Sequence, residues 1–378
     1  MKKLLFVCSF VLSSFCVQNA SAQLADGFYH FKNATTGRYI SINDTDPQNY
    51  QLNTYSGDLN MAGFRTYLDY DTVAVSPSCI IYVRKLDNGK YDFCGQGSSI
   101  YELSSGRFGV SLVPQGGDTY IISGTYQGIE KKLADGSPST KDSWLMNRLT
   151  ETENWKAIPV NTSDEYIGIR PDVRTADGEY YGTIYAGFSF RMVSPGMKAY
   201  YVSSTQGSTF KMEEIVQDVI PASTPVIIRC NSSNPTDNKI EPVNDNAAFN
   251  QSNCLQGVYC ALSGVAKHFN AKDYDPVTMR VIGLDNKGEL AFITAKPENL
   301  YNDFYLRANK AYLQVDSGTA STMTKESGTN IKTIMKNEPS EGTLYSLNGV
   351  HIPEGSIQRP GIYILRSYDG TTRKVIIK

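Results

Sequence analysis

Histidine and tryptophan are scarce in this sequence, with three and two copies in 378 residues. A nucleophile working at neutral pH usually leans on a histidine base, and His30, His268 and His351 fall in separate stretches of the chain. The sequence also lacks a Gly-x-Ser-x-Gly elbow, a His-Glu-x-x-His pair and a Gly-rich phosphate loop. These absences argue against the common hydrolase and nucleotide-binding designs. Neither sign of charge dominates: Lys plus Arg number 36 against 38 Asp plus Glu, a net charge of −2. Such a balance supplies no positive field for a phosphate backbone, so nucleic acid is excluded as a partner. Beyond residue 22 no apolar run approaches the roughly 20 residues of a transmembrane helix.

What is present begins with an address. Residues 1–22 carry Lys2 and Lys3, an apolar run from Leu4 to Phe15, and the small residues Ala20-Ser21-Ala22. That order is the form of an export signal cleaved before Gln23. A lipoprotein would use Cys16, but Phe15 before it is too bulky for a lipidation site. Loss of Lys2 and Lys3 moves the net charge from −2 to −4. The expected location is therefore secreted or at the outer cell surface.

Five cysteines remain after cleavage: Cys79, Cys94, Cys230, Cys254 and Cys260. An oxidising compartment favours pairing, and an odd number permits at most two bridges. Cys79 and Cys94 flank the turn Asp87-Asn88-Gly89, and a bridge there would contribute about 3 kcal/mol in the chain-entropy model. Cys230 has Cys254 or Cys260 as a second pair, and the alternative for all of them is burial as small apolar side chains.

The chain reads as an all-β protein. Tyr (25) outnumbers Phe (15), Gly reaches 31, and short aromatic or β-branched runs alternate with turns. Residues 28–32 and 38–42 flank Thr35-Thr36-Gly37; 79–84 and 90–94 flank Asp87-Asn88-Gly89; 119–123 and 129–133 flank Gln127-Gly128. Three such units between 26 and 158 predict a threefold arrangement in which no unit buries its apolar face alone.

The run Gly27-Phe28-Tyr29-His30-Phe31-Lys32-Asn33-Ala34-Thr35-Thr36-Gly37-Arg38-Tyr39-Ile40 resembles the opening strand pair of a ricin-type β-trefoil repeat. Glu153-Asn154-Trp155 stands where that family has Gln-x-Trp, with Glu replacing Gln and no comparable Trp in the first two units. The resemblance implies a β-trefoil-like domain over 23–160. Trp144 and Trp155 are expected in the core.

A second β-rich domain is expected over 161–316, its several wholly apolar runs suited to strands covered on both faces. Pro195-Gly196-Met197-Lys198-Ala199-Tyr200-Tyr201, residues 219–226 and Arg307-Ala308-Asn309-Lys310-Ala311-Tyr312-Leu313 resemble a β-sandwich module of secreted proteins of Gram-negative gut anaerobes. Residues 317–341, rich in Ser, Thr, Gly, Lys and Asn, read as a linker. The last segment, 342–378, returns to strands and ends in a hairpin around Asp369-Gly370. Gly361-Ile362-Tyr363-Ile364 followed by Lys374-Val375-Ile376-Ile377-Lys378 resembles the sorting domain of the type IX secretion system, which implies contact with that machinery. The family's module is about twice as long, and the other reading is a plain hairpin packed on its neighbour.

Several patterns invite chemistry. Ser208-Thr209-Phe210-Lys211 matches the Ser-x-x-Lys of serine β-lactamases, but it follows Gln206-Gly207 as the return arm of a hairpin, where residues three apart face opposite ways. Asp44-Thr45-Asp46 and Asp69-Tyr70-Asp71 resemble the start of a calcium loop, but the first has Asn49 and Tyr55 where an EF-hand needs Gly and Glu. No metal or other cofactor is expected. Sugar recognition asks for an aromatic platform beside a carboxylate or amide. Asp44, Asn49 and Tyr50 follow the second strand about where ricin-like repeats hold such a set, and they are the ligand-binding candidates. The expected role is non-catalytic binding of an extracellular glycan or glycoprotein. The alternatives are a structural or adhesive surface protein without a saccharide site and an accessory component of a polysaccharide hydrolase.

Overall fold

The computed structural model describes residues 23–42, 64–67, 77–96, 109–126, 129–135, 142–146, 152–160, 166–245, 248–258, 261–263, 268–270, 272–300, 303–326, 332–334, 342–353, 361–367 and 372–377. Over these the chain is all-β, with strands joined by turns and short 3-10 segments and no α-helix among the described residues.

The hairpins read from the sequence form where expected, for local reasons. Gly27–Asn33 turns into Tyr39–Ile42 because the Asn33 side-chain oxygen accepts from the Thr35 and Thr36 amides, at 3.0 Å each. Gly37 then takes φ +73°, a value other residues rarely adopt. Ile81–Lys85 and Tyr91–Gly95 pair around Gly89 at φ +78°. Thr119–Tyr126 pairs with Ile129–Lys132.

Long-range ladders tie these pieces into one curl. Gly27–Asn33 pairs on one side with Asn154–Pro159 and on the other with Ile81–Lys85. Asn154–Pro159 continues to Thr119–Tyr126, and that strand to Ser111–Gly116. A single bridge between Tyr91 and Val110 joins the two ends, so six strands close a ring. Phe31, Ile81, Val83, Phe93, Ile122 and Trp155 fill it. Trp155 is fully buried, as expected, and its indole N–H donates to the Leu133 carbonyl at 2.9 Å. The Trp144 side chain lies outside the described residues.

One buried polar cluster locks the first hairpin to the end of this region. Thr36 donates to Asp135 at 2.7 Å, and the Arg38 Nε lies 3.6 Å from the same carboxylate. Asn33 donates to the Thr152 carbonyl at 2.6 Å, and Thr152 donates to that of Asp135 at 2.8 Å. Each link spans many residues, so the cluster specifies register as well as adding hydrogen bonds.

From 166 onward two sheets face each other. Ile167–Gly168, Lys239–Val243, Ser189–Met192 and Val219–Ile220 form a four-stranded sheet in that spatial order. Opposite lies a ten-stranded sheet running from Val173–Arg174 to Leu255–Val258. Its strand Val226–Cys230 shows the period-2 logic. Val226, Ile228 and Cys230 meet Phe190, Ile220 and Ile240 across the layer, while Ile227 joins a separate core with Phe210, Phe292 and Leu313. The expected sandwich is therefore one half of the arrangement; the long sheet encloses a second core on its far side.

The first two regions share packing. Ile80 and Val160 enter the core between the facing sheets, and the rings of Phe28 and Phe188 stand edge-on at 5.8 Å. Buried Gln96 accepts from the Gly187 amide at 3.2 Å and from the Asn309 side chain at 3.0 Å.

Two strands lie within the stretch read as a linker. Thr322–Lys325 inserts between Thr209–Glu214 and Leu290–Ile293, burying Met323 in the second core. Lys332–Ile334 runs parallel to Thr372–Ile377 in the terminal five-stranded sheet, whose Leu365 and Val375 are buried. A polar composition did not prevent either, because Thr322–Lys325 pairs through its backbone on both sides and turns one apolar side chain, Met323, to the core, and Lys332–Ile334 pairs through its backbone at the edge of its sheet.

The expected bridges are not made: no disulfide forms among the described cysteines. Cys230 faces the core between the two sheets and Cys254 packs beside the core on the other side of the long sheet. Cys79 packs against Tyr39, while Cys94 sits opposite Tyr82 within a strand. Cys260 lies outside the described residues.

Candidate functional site

Asp44, Asn49 and Tyr50 lie outside the described residues, as do Asp46, Asp69 and Asp71. The histidines do not converge. His30 is buried with its ring 5.4 Å from that of Tyr39, His268 lies in a two-stranded sheet, and His351 is exposed on the terminal sheet with its ring 5.7 Å from Tyr345. The Ser-x-x-Lys match starts in the hairpin turn at Ser208 and runs onto the strand Thr209–Glu214, and Lys211 is engaged with Glu213 at 2.6 Å. Among the described residues no three His, Cys, Asp or Glu gather as metal ligands.

The structure instead presents an open cleft of about 220 Å³ on the ten-stranded sheet. Val258, Val281, Leu306 and Tyr312 back it as part of one small buried cluster, while the larger share of its exposed lining is polar. Its polar groups arrive from three directions. Asp172 comes from the segment before Tyr180–Ile184, Glu298 and Asn299 from the 3-10 turn Pro297–Asn299, and Arg307 and Lys310 from the approach to Lys310–Gln314.

Each group is placed by its local chain. The Asp172 segment lies tight on Gly182, where an added Cβ would stand 3.2 Å from both the Arg170 carbonyl and the Pro171 Cα. That closeness lets the Asp172 amide donate to the Tyr181 carbonyl at 2.7 Å. Asn309, at φ +56°, sets the start of its strand, donating from its side chain to the Tyr185 carbonyl at 2.9 Å. The turn Pro297–Asn299 is closed by the Asn299 side-chain oxygen, which accepts from the Lys296 amide at 3.0 Å.

The electrostatics are unequal in what they leave available. Both Asp172 oxygens are engaged, one by Lys310 Nζ at 2.7 Å and the other by the Thr183 amide at 2.9 Å. The Thr183 hydroxyl accepts from the Ala311 amide at 3.1 Å, tying the two strands beneath the cleft. Lys310 thus uses one of its three N–H groups. Among the described residues Arg307 donates from Nη2 alone, to the Glu298 carbonyl at 2.9 Å. Nearby, burial pushes the Cys230 thiol up to about 12, so it stays protonated at neutral pH and is no nucleophile. Burial likewise raises the Tyr312 phenol.

The Arg307-to-Leu313 stretch attracts notice in the sequence by its pattern alone. Its partner Asp172 stands 138 residues earlier, and no local signal connects them. Comparison of the sequence with protein-family models finds no match, and a search of curated proteins finds no relative.

Proposed function

We propose that the chain is an exported, non-catalytic protein of the cell surface or surroundings that binds carbohydrate. The observation that carries this reading is the open cleft beside Lys310–Gln314, where a smaller apolar surface adjoins several hydrogen-bonding side chains. A sugar ring asks for that combination: carbon–hydrogen faces need apolar contact, and hydroxyls need placed polar partners. Phe304, 70% exposed and two residues from the wall residue Leu306, offers an aromatic surface nearby. Further support comes from the resemblance of residues 27–40 to a ricin-type repeat, which agrees with a closed six-stranded ring whose last strand carries a buried Trp155.

The terminal sheet we assign to the type IX secretion machinery, on the resemblance of its last two strands. Leu347 and Val350, 55% and 65% exposed on its turn, offer apolar contact for such a partner. Mass analysis of the C-terminus of protein from culture tests this, an uncleaved, freely secreted chain counting against it.

A glycan array probed with residues 23–378 tests the binding reading. The expected signal survives Asp44→Ala combined with Tyr50→Ala and falls with Asn299→Ala combined with Arg307→Ala. The opposite pattern would move the site to the loop after Ile42. A blank array, with adhesion to a protein matrix retained, would favour the adhesive alternative.

A further inference from the structure

We infer that the cleft accepts a sugar ring bearing a negative charge, a uronate or a sulfated hexose, gripped by Arg307 and Lys310. This rests on the carbohydrate-binding reading and adds the class of sugar.

The cleft holds hydrogen-bonding groups that the protein itself leaves unengaged. Asp172 has both oxygens committed within the protein, so it neutralises part of Lys310 but has little left for a ligand. Glu298 is the other carboxylate of the lining; its side chain is 67% exposed and 3.9 Å from Lys296. On the cationic side, two N–H groups of Lys310 and the Nε and Nη1 groups of Arg307 have no partner among the described residues. The side-chain amide of Asn299 uses its oxygen on Lys296 and leaves its NH2 to donate. The formal charges of the lining cancel, two cations against two carboxylates, but the free N–H groups of Lys310, Arg307 and Asn299 outnumber the uncommitted carboxylate oxygens, which are the two of Glu298.

A neutral sugar, whose hydroxyls both donate and accept, would use only part of this set. A carboxylate or sulfate, acceptor-only and charged, matches it, and the planar guanidinium fork suits two parallel oxygens. Lys310 has only 30% of its side chain exposed, which reduces the screening that weakens ion pairs at an open surface. The volume of about 220 Å³ falls below the roughly 300 Å³ at which pockets for larger ligands begin. One ring, at the end or branch of a chain, is what fits.

Calorimetric titration of residues 23–378 with a galacturonate trisaccharide, a sulfated galactose trisaccharide and a neutral galactose trisaccharide distinguishes the possibilities. The anionic sugars are expected to bind about tenfold more tightly than the neutral one at about 50 mM salt, and to lose that margin as salt rises. Arg307→Gln should remove about tenfold in affinity for the anionic sugars alone. Its melting temperature should stay that of the parent, because it gives up one exposed bond to Glu298. Equal affinity for neutral and anionic sugars, or an Arg307→Gln effect common to both, would overturn the inference while leaving carbohydrate binding intact. Binding of a short polyglutamate as tight as that of galacturonate would also overturn it, by removing the sugar from the requirement. If no saccharide binds, on the array or in solution, the functional reading falls with it.

Discussion

Replacing Trp155 by Phe separates two contributions of the strand that closes the first ring. The indole is fully buried among Phe31, Phe93 and Ile122, and its N–H serves the carbonyl of Leu133, itself fully buried. Phenylalanine keeps most of the apolar contact but donates nothing. The Leu133 carbonyl would then lose its indole partner inside a dry core, at a cost of about 1–3 kcal/mol. The smaller ring leaves a void that adds about 1 kcal/mol. The expected destabilisation is therefore about 2–4 kcal/mol, and Trp155→Ala should cost at least as much. Urea unfolding of residues 23–378, followed by circular dichroism and by the fluorescence of Trp144, measures it. The ring shares packing with the next region through Ile80, Val160 and Phe28, so both signals should shift together. A change below about 0.5 kcal/mol in Trp155→Phe would mean that water reaches the Leu133 carbonyl and that the ring is not closed as described.

Three other outcomes follow from the same packing. At Gly257 an added Cβ would run into the Tyr185 ring near its attachment to the backbone, so Gly257→Ala should lower stability by about 1–3 kcal/mol, readable as a lower melting temperature; an unchanged value would contradict that contact. Cys230, its thiol pushed up to about 12, should resist iodoacetamide at pH 8 in the folded chain and react only with urea present, as peptide mass spectrometry would reveal; rapid native alkylation would place it elsewhere. Glu213 is held below its usual 4.5 by Lys211, by the Tyr201 hydroxyl at 2.9 Å and by Ser203. A carboxylate depressed in the folded state stabilises above its unfolded value and loses that contribution as pH falls. Melting temperature should thus drop below about pH 4.5 less steeply in Glu213→Gln than in the parent, and parallel profiles would remove Glu213 from the account.

Gln96 and Asn309 explain why the first region should not behave as a detachable unit. Both are buried, both hold φ above +50°, and their side chains meet across 213 residues of sequence. Such backbone values cost energy for residues other than glycine and persist where surrounding structure holds them.

What the sequence determined by itself is local. Alternating side chains and turn residues such as Asn33, Gly37 and Gly89 place strands and hairpins, because a turn's hydrogen bonds and φ requirements are met within a few residues. Trp155, flanked by Asn154 and Lys156, announces a core position by its large apolar ring at alternate spacing with Ala157 on a short strand. Tertiary structure decided which core each face meets. Ile227 and Ile228 look alike in sequence but point into different cores, since period-2 alternation assigns faces and not what covers them. Met323 became a core residue through pairing with Leu290–Ile293, inside a stretch whose composition reads as a linker. The cleft needs Asp172 beside Lys310, a proximity created only when the ten-stranded sheet curls until its opposite ends meet, the Tyr185 amide donating to the Asn309 carbonyl and the Ala311 amide to the Thr183 hydroxyl.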